Sequence, residues 1–493
     1  MNGPGEAEGS VARSVSWAAT EAIGQVGLSV ASLVVLARIL EPREFGLATL
    51  ALVIVQSLNL LVEYLFLEAI VQKKELEAAD IDTAFWITLI SAAGCFGLCL
   101  AVAPSASAFF ETPALASLLP WTATALVFAG CNGILVGLFR RNMQFKQVAA
   151  GRVLGRLFGA IVAIGMAVGG WGAWSLIGQF VGTSALSAVV FWTQTPYRPR
   201  FRVSFRRLSD LSEFAAPYLL GEAVSLGNTR VFPAVVAAIF GPVGLGLFGL
   251  ATRVSGTLGE VLGTVTHQIS MTVFSRKQSD PQAVRAAIYE STAFASLLGF
   301  PVFLGLMVTA EDLVIGAFGS RWLDAVPLVQ LLALAGCVRF GISFLNTSLA
   351  AIGRPIFRFV RYATELIVGL ALIFALAPFG VIAAGYAVAL RSVLSSPILL
   401  KANSDLLHVR PLSLARHVAG PAAAAATMVV SVVALRMWLV DWPSLSRLAV
   451  LVVGGAMVYG VSVRVLAPRL VVRTLRTLAG RTKSTSAKNA KYG

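Results

Sequence analysis

The sequence predicts an all-α polytopic membrane protein: 14 transmembrane helices, forming two parallel six-helix lobes followed by two C-terminal helices. Three observations predict it. Of the 493 residues, 57% are hydrophobic and only 13% charged, with a mean hydropathy of +0.81; a soluble domain carries roughly 25% charged residues. Apolar stretches of about 20 residues, the length a helix needs to cross a ~30 Å hydrocarbon core, recur from end to end. And the stretch "ARILEPREFGLATL" at 37–50 returns as "AAIFGPVGLGLFGL" at 237–250. No period-two alternation with turn residues is present, which excludes a β-barrel.

The first lobe, 1–192, holds expected spans at roughly 14–40, 45–67, 81–104, 116–139, 148–169 and 171–193. Its opening "MNGPGEAEGS" is acidic and lacks a basic n-region, so the first span reads as a retained helix rather than a cleaved signal. A basic cytoplasmic linker, "TQTPYRPRFRVSFRRLSD", occupies most of 193–211. The second lobe, 212–400, holds spans at 212–240, 244–272, 289–309, 325–351, 358–378 and 380–400. Residues 401–466 carry the last two, 415–438 and 445–466, and 467–493 form a basic cytoplasmic tail.

Connections alternate in character. One set is basic and includes Lys73, Lys74, Arg140, Arg141, Lys146, Arg198 to Arg207, Arg276, Lys277, Arg285, Arg354, Arg358, Arg361, Lys401, Arg410 and Arg416. With Arg13 and the tail this gives about 28 Lys/Arg on one side against two to four on the other. The asymmetry places both termini in the cytoplasm, and it accounts for the net charge of +15 without nucleic acid. The four cysteines lie in apolar runs and read as packing residues, with neither a disulfide framework nor a metal site.

The charged knot Glu41-Pro42-Arg43-Glu44 falls at the outer turn between the first two helices, and its second copy falls between helices seven and eight. Six helices separate the copies, so both halves cross in the same direction. A second echo agrees: Arg141 and Gly172 recur as Arg354 and Gly385. Two such lobes are expected to enclose a cleft, where transporters hold substrates.

Polar faces on particular helices are the candidate lining. On the eighth, Arg253, Thr257, Glu260, Thr264 and His267 are spaced 4, 3, 4 and 3, one face of an α-helix. A charge at the centre of a span costs ~2.5–3.5 kcal/mol on insertion scales, so such a stripe faces either a water-filled cavity or an internal ion pair. The second helix has Gln56, Asn59 and Glu63; the first has Glu21, Gln25 and Ser32; the seventh has Glu222, Ser225, Thr229 and Arg230; the tenth has Arg339, Ser343 and Asn346. Singly each is weak, and a lone Asn or Gln is more often helix–helix glue. Together they favour helices 1, 2, 7 and 8.

Other motifs have plainer readings. "GLGLFG" at 244–249 matches G-x-G-x-x-G, but a dinucleotide site needs a strand before it and an acidic residue about 20 positions on. Gly151, Gly155 and Gly159 form a double G-x-x-x-G packing face on the fifth helix, where Arg152 and Arg156 either snorkel or line a vestibule. There is no P-loop, no H-E-x-x-H and no Ser/His/Asp set, so neither an enzyme nor a cofactor or metal is expected.

"VVLARILEPREFGLATLALVIVQSLNLLVEYLFLEAIVQKKEL", "DTAFWITLI", "FRRNMQFKQVA", "GWGAWSLIGQ", "RPRFRVSFRRLSDLSEFAAPYLL" and "GLGLFGLATRV" run in order through most of the chain. They resemble the polysaccharide-repeat flippases, the Wzx-like polysaccharide transporters of the MOP (multidrug/oligosaccharidyl-lipid/polysaccharide) superfamily. The resemblance implies a V-shaped, MATE-like helical bundle that moves undecaprenyl-pyrophosphate-linked oligosaccharide between leaflets, alongside membrane lipid and a polysaccharide polymerase or co-polymerase. "GLATR" is similar to a "YANR"-like motif that lipid II flippases associate with pyrophosphate, which implies that role for Arg253; the tyrosine is replaced by Leu250 or a neighbour. Glu21 stands where those flippases carry cavity arginines, which argues against lipid II as substrate. In this reading Glu63 and Glu260 are the candidates for proton or sodium coupling. A drug/cation antiporter would want carboxylates and aromatics without buried arginines, and a membrane glycan polymerase or ligase would carry a large external loop.

Overall fold

The structure is a computed structural model. It describes residues 24–73, 75–204, 206–207, 227–275, 281–354, 356–468 and 470, and these contain helix and no strand. In chain order the helices are α1 (Gly24–Ile39), α2 (Pro42–Tyr64), α3 (Leu67–Gln72), α4 (Ala78–Phe109), α5 (Leu115–Arg141), α6 (Phe145–Val168), α7 (Trp174–Thr193), α8 (227–240), α9 (242–275), α10 (Pro281–Leu313), α11 (Val326–Gly341), α12 (Ser343–Ala351), α13 (Ile356–Leu376), α14 (Ile382–Leu407), α15 (Pro411–Trp438) and α16 (Ser444–Leu466). Eleven described helical stretches are long and apolar enough to cross a membrane. The tenth expected span is two helices, because the chain leaves helical geometry at Ile342.

The boundaries follow local chemistry. Pro42 stands in the first turn of α2, where its missing N–H costs nothing, and the Glu44 carboxylate accepts the Glu41 N–H at 3.0 Å. The charged knot is therefore a helix start. Glu77 and Asp80 repeat the device at α4, also at 3.0 Å. Between α8 and α9 the chain leaves helical geometry at Gly241, whose φ of 66° favours glycine, and Pro242 follows it. Residues Gly227–Val231 wind as a π-helix. Pro233 lies just beyond and has no N–H to give to an ordinary helical bond.

The chain divides into two compact units, Met1–Leu250 and Ala251–Gly493. In the first, the glycine face of α6 packs on α7 as expected. A methyl at Gly155 would meet the Thr183 carbonyl oxygen at 2.8 Å, and Ser187 Oγ donates to the Gly151 carbonyl at 3.0 Å. The repeated turns also touch: a methyl on Gly46 would overlap the Pro242 carbonyl, and one on Gly246 would overlap the Pro42 carbonyl. This reciprocal contact explains why residues 227–250 belong with the first unit. The G-x-G-x-x-G glycines lie in a helix with no strand directly before it, and Gly246 among them serves this close approach.

The two ends of the first unit differ. At one end Phe109, Trp121 and Trp171 are exposed, and the Trp121 and Trp174 rings stand 6.5 Å apart, an aromatic belt of the kind found at membrane interfaces. The opposite end holds Lys73, Arg140, Arg141, Lys146 and the start of the linker. There Arg141 Nη1 donates to the carbonyls of Ile70 (2.9 Å) and Lys73 (2.5 Å). In the second unit, α15 and α16 are tied to the end of α10 by charge. Asp312, fully buried, receives Arg436 Nε at 3.0 Å and Arg447 Nε at 2.5 Å, while Glu311 takes Arg436 Nη2 at 2.6 Å.

Candidate functional site

The first unit contains a polar seam in otherwise apolar helices, built on α2. Gln56, Asn59 and Glu63 share one face at spacings 3 and 4, and all are half-buried. Gln56 Oε1 accepts from Arg230 Nη1 at 2.7 Å, a charge-assisted bond from the π-wound turn of α8. Asn59 Nδ2 reaches Glu63 Oε2 at 3.4 Å, and Arg152 Nη2 on α6 lies 3.8 Å from Glu63 Oε1. Deeper in α6, Arg156 Nη1 donates to Ser29 Oγ (2.5 Å) and to the Gln25 carbonyl (3.2 Å). Gln179 Nε2 donates to Ser32 Oγ at 2.7 Å. Arg152 and Arg156 thus turn toward α1 and α2 rather than snorkelling.

Two atoms in the seam are buried without a hydrogen-bond partner among the described residues: Arg230 Nε, a donor, and Asn59 Oδ1, an acceptor. Buried polar atoms are nearly always paired, and leaving one unpaired costs about 1–3 kcal/mol, more for a charged group. Gln56, which Arg230 bonds, lies one helical turn from Asn59 on α2, so the seam holds an unmet donor and an unmet acceptor. Such a pair suits a group that both gives and accepts hydrogen bonds: a water or a hydroxyl.

In the second unit Arg253 and Thr257 stack one turn apart on α9, with Thr257 Oγ1 bonded to the Arg253 carbonyl at 2.8 Å. Arg253 is half-buried and Glu260 exposed. The backbone of α9 carries Thr264 and His267 onward in the same helix, but their side chains lie outside the described ones, as do Glu21 and Glu222 entirely. Arg339 is exposed in the last turn of α11, within electrostatic reach of Arg391 on α14.

A buried charge cluster in this unit escaped the sequence reading. Arg361 and Glu365, each only 5% exposed, pair one turn apart on α13 at 2.6 Å, and Ser395 Oγ on α14 donates to the same carboxylate oxygen at 3.1 Å. Arg391, 7% exposed, also feels the Glu365 charge. Two arginines and one carboxylate leave the cluster cationic. Arg361 was expected in a basic loop; the structure places it inside α13, five residues past the helix start at Ile356. Its nearness to Arg354 and Arg358 disguised it. The legible signals were the i, i+4 pairs Arg361/Glu365 and Arg391/Ser395 in successive spans. No group of three or more His, Cys, Asp or Glu that could hold a metal occurs among the described residues.

Long apolar helices define a multi-pass membrane protein, and the fold agrees. The chain is similar to the lipid II flippase MurJ in its inward closed conformation, with a TM-score of 0.76 at 14% identity, covering 92% of this chain and 99% of that one. It is also similar to an inward-facing multidrug resistance MATE family transporter of the MOP superfamily, with a TM-score of 0.61 at 12% identity, covering 78% and 94%. Within that class the chain belongs to the polysaccharide biosynthesis protein family, whose model matches residues 35–327. Among relatives, the succinoglycan biosynthesis transport protein ExoT of Rhizobium meliloti (strain 1021) is 27% identical over 327 residues, 66% of each chain. The lipopolysaccharide biosynthesis protein WzxC of Escherichia coli (strain K12) is 24% identical over 326 residues, again 66% of each. The matched part of this chain thus spans just under two thirds of these relatives.

Proposed function

We propose that the protein is a flippase for polyprenyl-pyrophosphate-linked oligosaccharide, carrying repeat units of an exopolysaccharide, O-antigen or capsule from the inner to the outer leaflet of the bacterial inner membrane. The relatives' names, a succinoglycan transport protein and a lipopolysaccharide biosynthesis protein, support this substrate class. The observation that carries the reading is the seam at Gln56, Asn59 and Arg230, which holds an unmet donor and an unmet acceptor in apolar helices.

In this proposal 14 helices cross the membrane, six in a lobe at 1–192, six in a lobe at 212–400 and two within 401–466. The linker 193–211 and both termini are cytoplasmic. A sugar headgroup dragged through hydrocarbon would leave hydrogen-bonding groups unpaired, at several kcal/mol each. Glu21, Gln25, Gln56, Asn59 and Glu260 are the candidates to supply replacement partners, and Thr257, Thr264, His267 and Glu222 are further polar candidates. Arg253, with Arg230 or Arg339, attracts the pyrophosphate. The polyprenyl tail stays in lipid. The reciprocal glycine contact at Gly46 and Gly246 closes the outer end of α2 against α9, and its parting opens the path outward. Glu63 and Glu260 carry the coupling proton or sodium that resets the cycle. No bond is made or broken and no cofactor takes part; a polymerase or co-polymerase receives the cargo.

The test is deletion of the gene, followed by mass analysis of the lipid-linked glycan left on the cytoplasmic face. Wild-type protein restores export; R253A and R230A, folded and inserted, do not. Normal export by both variants removes the site assignment, and an unchanged glycan pool in the deletion removes the function.

A further inference from the structure

The linker is not a loose tether where it leaves α7. Residues 195–204, with 206 and 207, lie as a strap across the first turns of α4, held at several positions. Asp82 Oδ1, on a residue 2% exposed, accepts the Tyr197 hydroxyl at 2.8 Å and the Arg200 N–H at 3.2 Å. Trp86 Nε1 donates to the Arg200 carbonyl at 3.0 Å, and Thr83 Oγ1 to the Arg202 carbonyl at 3.2 Å. Arg207 closes the strap through Asp80 and Glu77, both at 2.8 Å, and Lys73 Nζ also meets Asp80 at 2.8 Å. Pro196 and Pro199 stiffen the chain between clamps.

These clamps hold the strap by its backbone and use up the nearby carboxylates. The arginines between them are left outward. Arg198, Arg200, Arg202 and Arg206 are all exposed. Arg198 folds back on the carbonyls of Thr195 and Tyr197, but the Arg200, Arg202 and Arg206 side chains have no partner among the described residues. Between them Phe201 is 82% exposed, its ring 5.0 Å from that of Trp86. Trp86 lies one helical turn from Ile90, itself 59% exposed on the long apolar helix α4. The apolar outer surface of α4 therefore continues through Ile90 and Trp86 to Phe201, and the guanidinium groups begin where it stops. That succession, apolar side chain, aromatic ring, cation, is the profile of a bilayer from acyl chain to headgroup.

We propose that this strap is a docking surface for anionic phospholipid headgroups, with Arg200, Arg202 and Arg206 meeting the phosphates and Phe201 seated at the headgroup–acyl boundary. A free phosphate fits it poorly, because the donors are solvent-exposed and spread along an extended chain rather than gathered in a closed pocket. The inference requires only that α4 crosses the bilayer, and it holds whatever cargo the protein carries. It assigns the strap a bilayer contact that fixes the start of the linker at a set depth.

The full chain, purified in neutral detergent, is titrated with phosphatidylglycerol and separately with phosphatidylcholine, and bound lipid is counted by native mass spectrometry. An arginine at an anionic surface contributes about a fivefold gain, so three give a preference for phosphatidylglycerol of roughly a hundredfold. R200Q/R202Q/R206Q abolishes the preference and keeps the wild-type melting temperature, since the replaced side chains touch no described partner. W86F, which keeps an aromatic ring but removes the bond to Arg200, loses part of it. The proposal is overturned if the triple variant keeps the wild-type preference, or if the wild type has none. It is equally overturned if sodium pyrophosphate displaces phosphatidylglycerol better than sodium chloride at matched ionic strength, which would make the strap a reader of soluble phosphate.

Discussion

Replacing Gly46 with alanine puts a methyl group where the carbonyl oxygen of Pro242 stands. That obstacle is backbone, at the start of α9, so no rotamer change removes it; the ends of α2 and α9 must separate until carbon and oxygen reach ordinary contact. Over-packing of this sort costs about 1–3 kcal/mol. Gly246→Ala meets the mirror-image obstacle, the Pro42 carbonyl. The one separation relieves both clashes, so the double variant should cost about as much as the worse single variant, a coupling of roughly 1–2 kcal/mol. The unit that holds both glycines runs from Met1 to Leu250, and at that size 1 kcal/mol is worth about 2–4 °C, so each single variant should lower Tm by roughly 2–12 °C. Thermal unfolding of wild type, both singles and the double in one detergent, at one scan rate, reads this directly. Additive losses, or singles that melt like wild type, refute the reciprocal contact and with it the outer closure built on the repeat.

Glu365→Gln leaves Arg361 and Arg391 without their shared counter-charge and should cost about 3–5 kcal/mol, as breaking a buried pair does; E365Q/R361M should recover much of that loss in the same melting assay. Asp312→Asn removes the carboxylate between Arg436 and Arg447, and α15 and α16 should loosen from α10, read as faster proteolysis after residue 410 with α2 to α7 intact. Tyr197→Phe tests the strap through pH. Burial, and then the bond to Asp82, hold the Tyr197 phenol well above its ordinary 10.0. A folded-state pKa that is raised stabilises fully below the unfolded value and is lost as pH rises past it. Wild type should therefore lose stability relative to Y197F only above about pH 10, and parallel melting curves across that range would count against the clamp.

Elements were legible to different degrees because different forces set them. Span positions follow from apolar length, which the bilayer imposes on any sequence, so α4, α5 and α16 lie within a few residues of where composition put them. The break at Ile342 and the π-turn at Gly227–Val231 depend on local hydrogen bonding, which hydropathy does not register. Among site residues, Gln56 with Arg230 and Asn59 with Glu63 were visible from helical spacing, though their bonds were not. Arg361 was misplaced because a basic residue near a loop and one inside a span look alike until its partner, Glu365, is found.

The buried polar groups of the two units differ in kind, and the difference bears on the cargo. In the seam of the first unit the unmet atoms include a donor, Arg230 Nε, and an acceptor, Asn59 Oδ1, which suits a partner that is itself both. In the second, Arg361, Arg391 and the neighbouring Arg339 outnumber Glu365. A drug cation would gain nothing from either set and would be repelled by the second. A neutral sugar would use the first alone. Under the proposed function the cargo carries both hydroxyls and a diphosphate, so substitutions in the two sets should separate by chemistry. Asn59→Ala should weaken export of large, hydroxyl-rich headgroups more than of short ones. Arg339→Gln should weaken all diphosphate-linked cargo alike, and fall away against a lipid with no phosphate. Reconstituted vesicles loaded with polyprenyl-diphosphate sugars of two lengths distinguish these patterns; equal losses from both variants on every cargo would mean that the two sets act as structure alone.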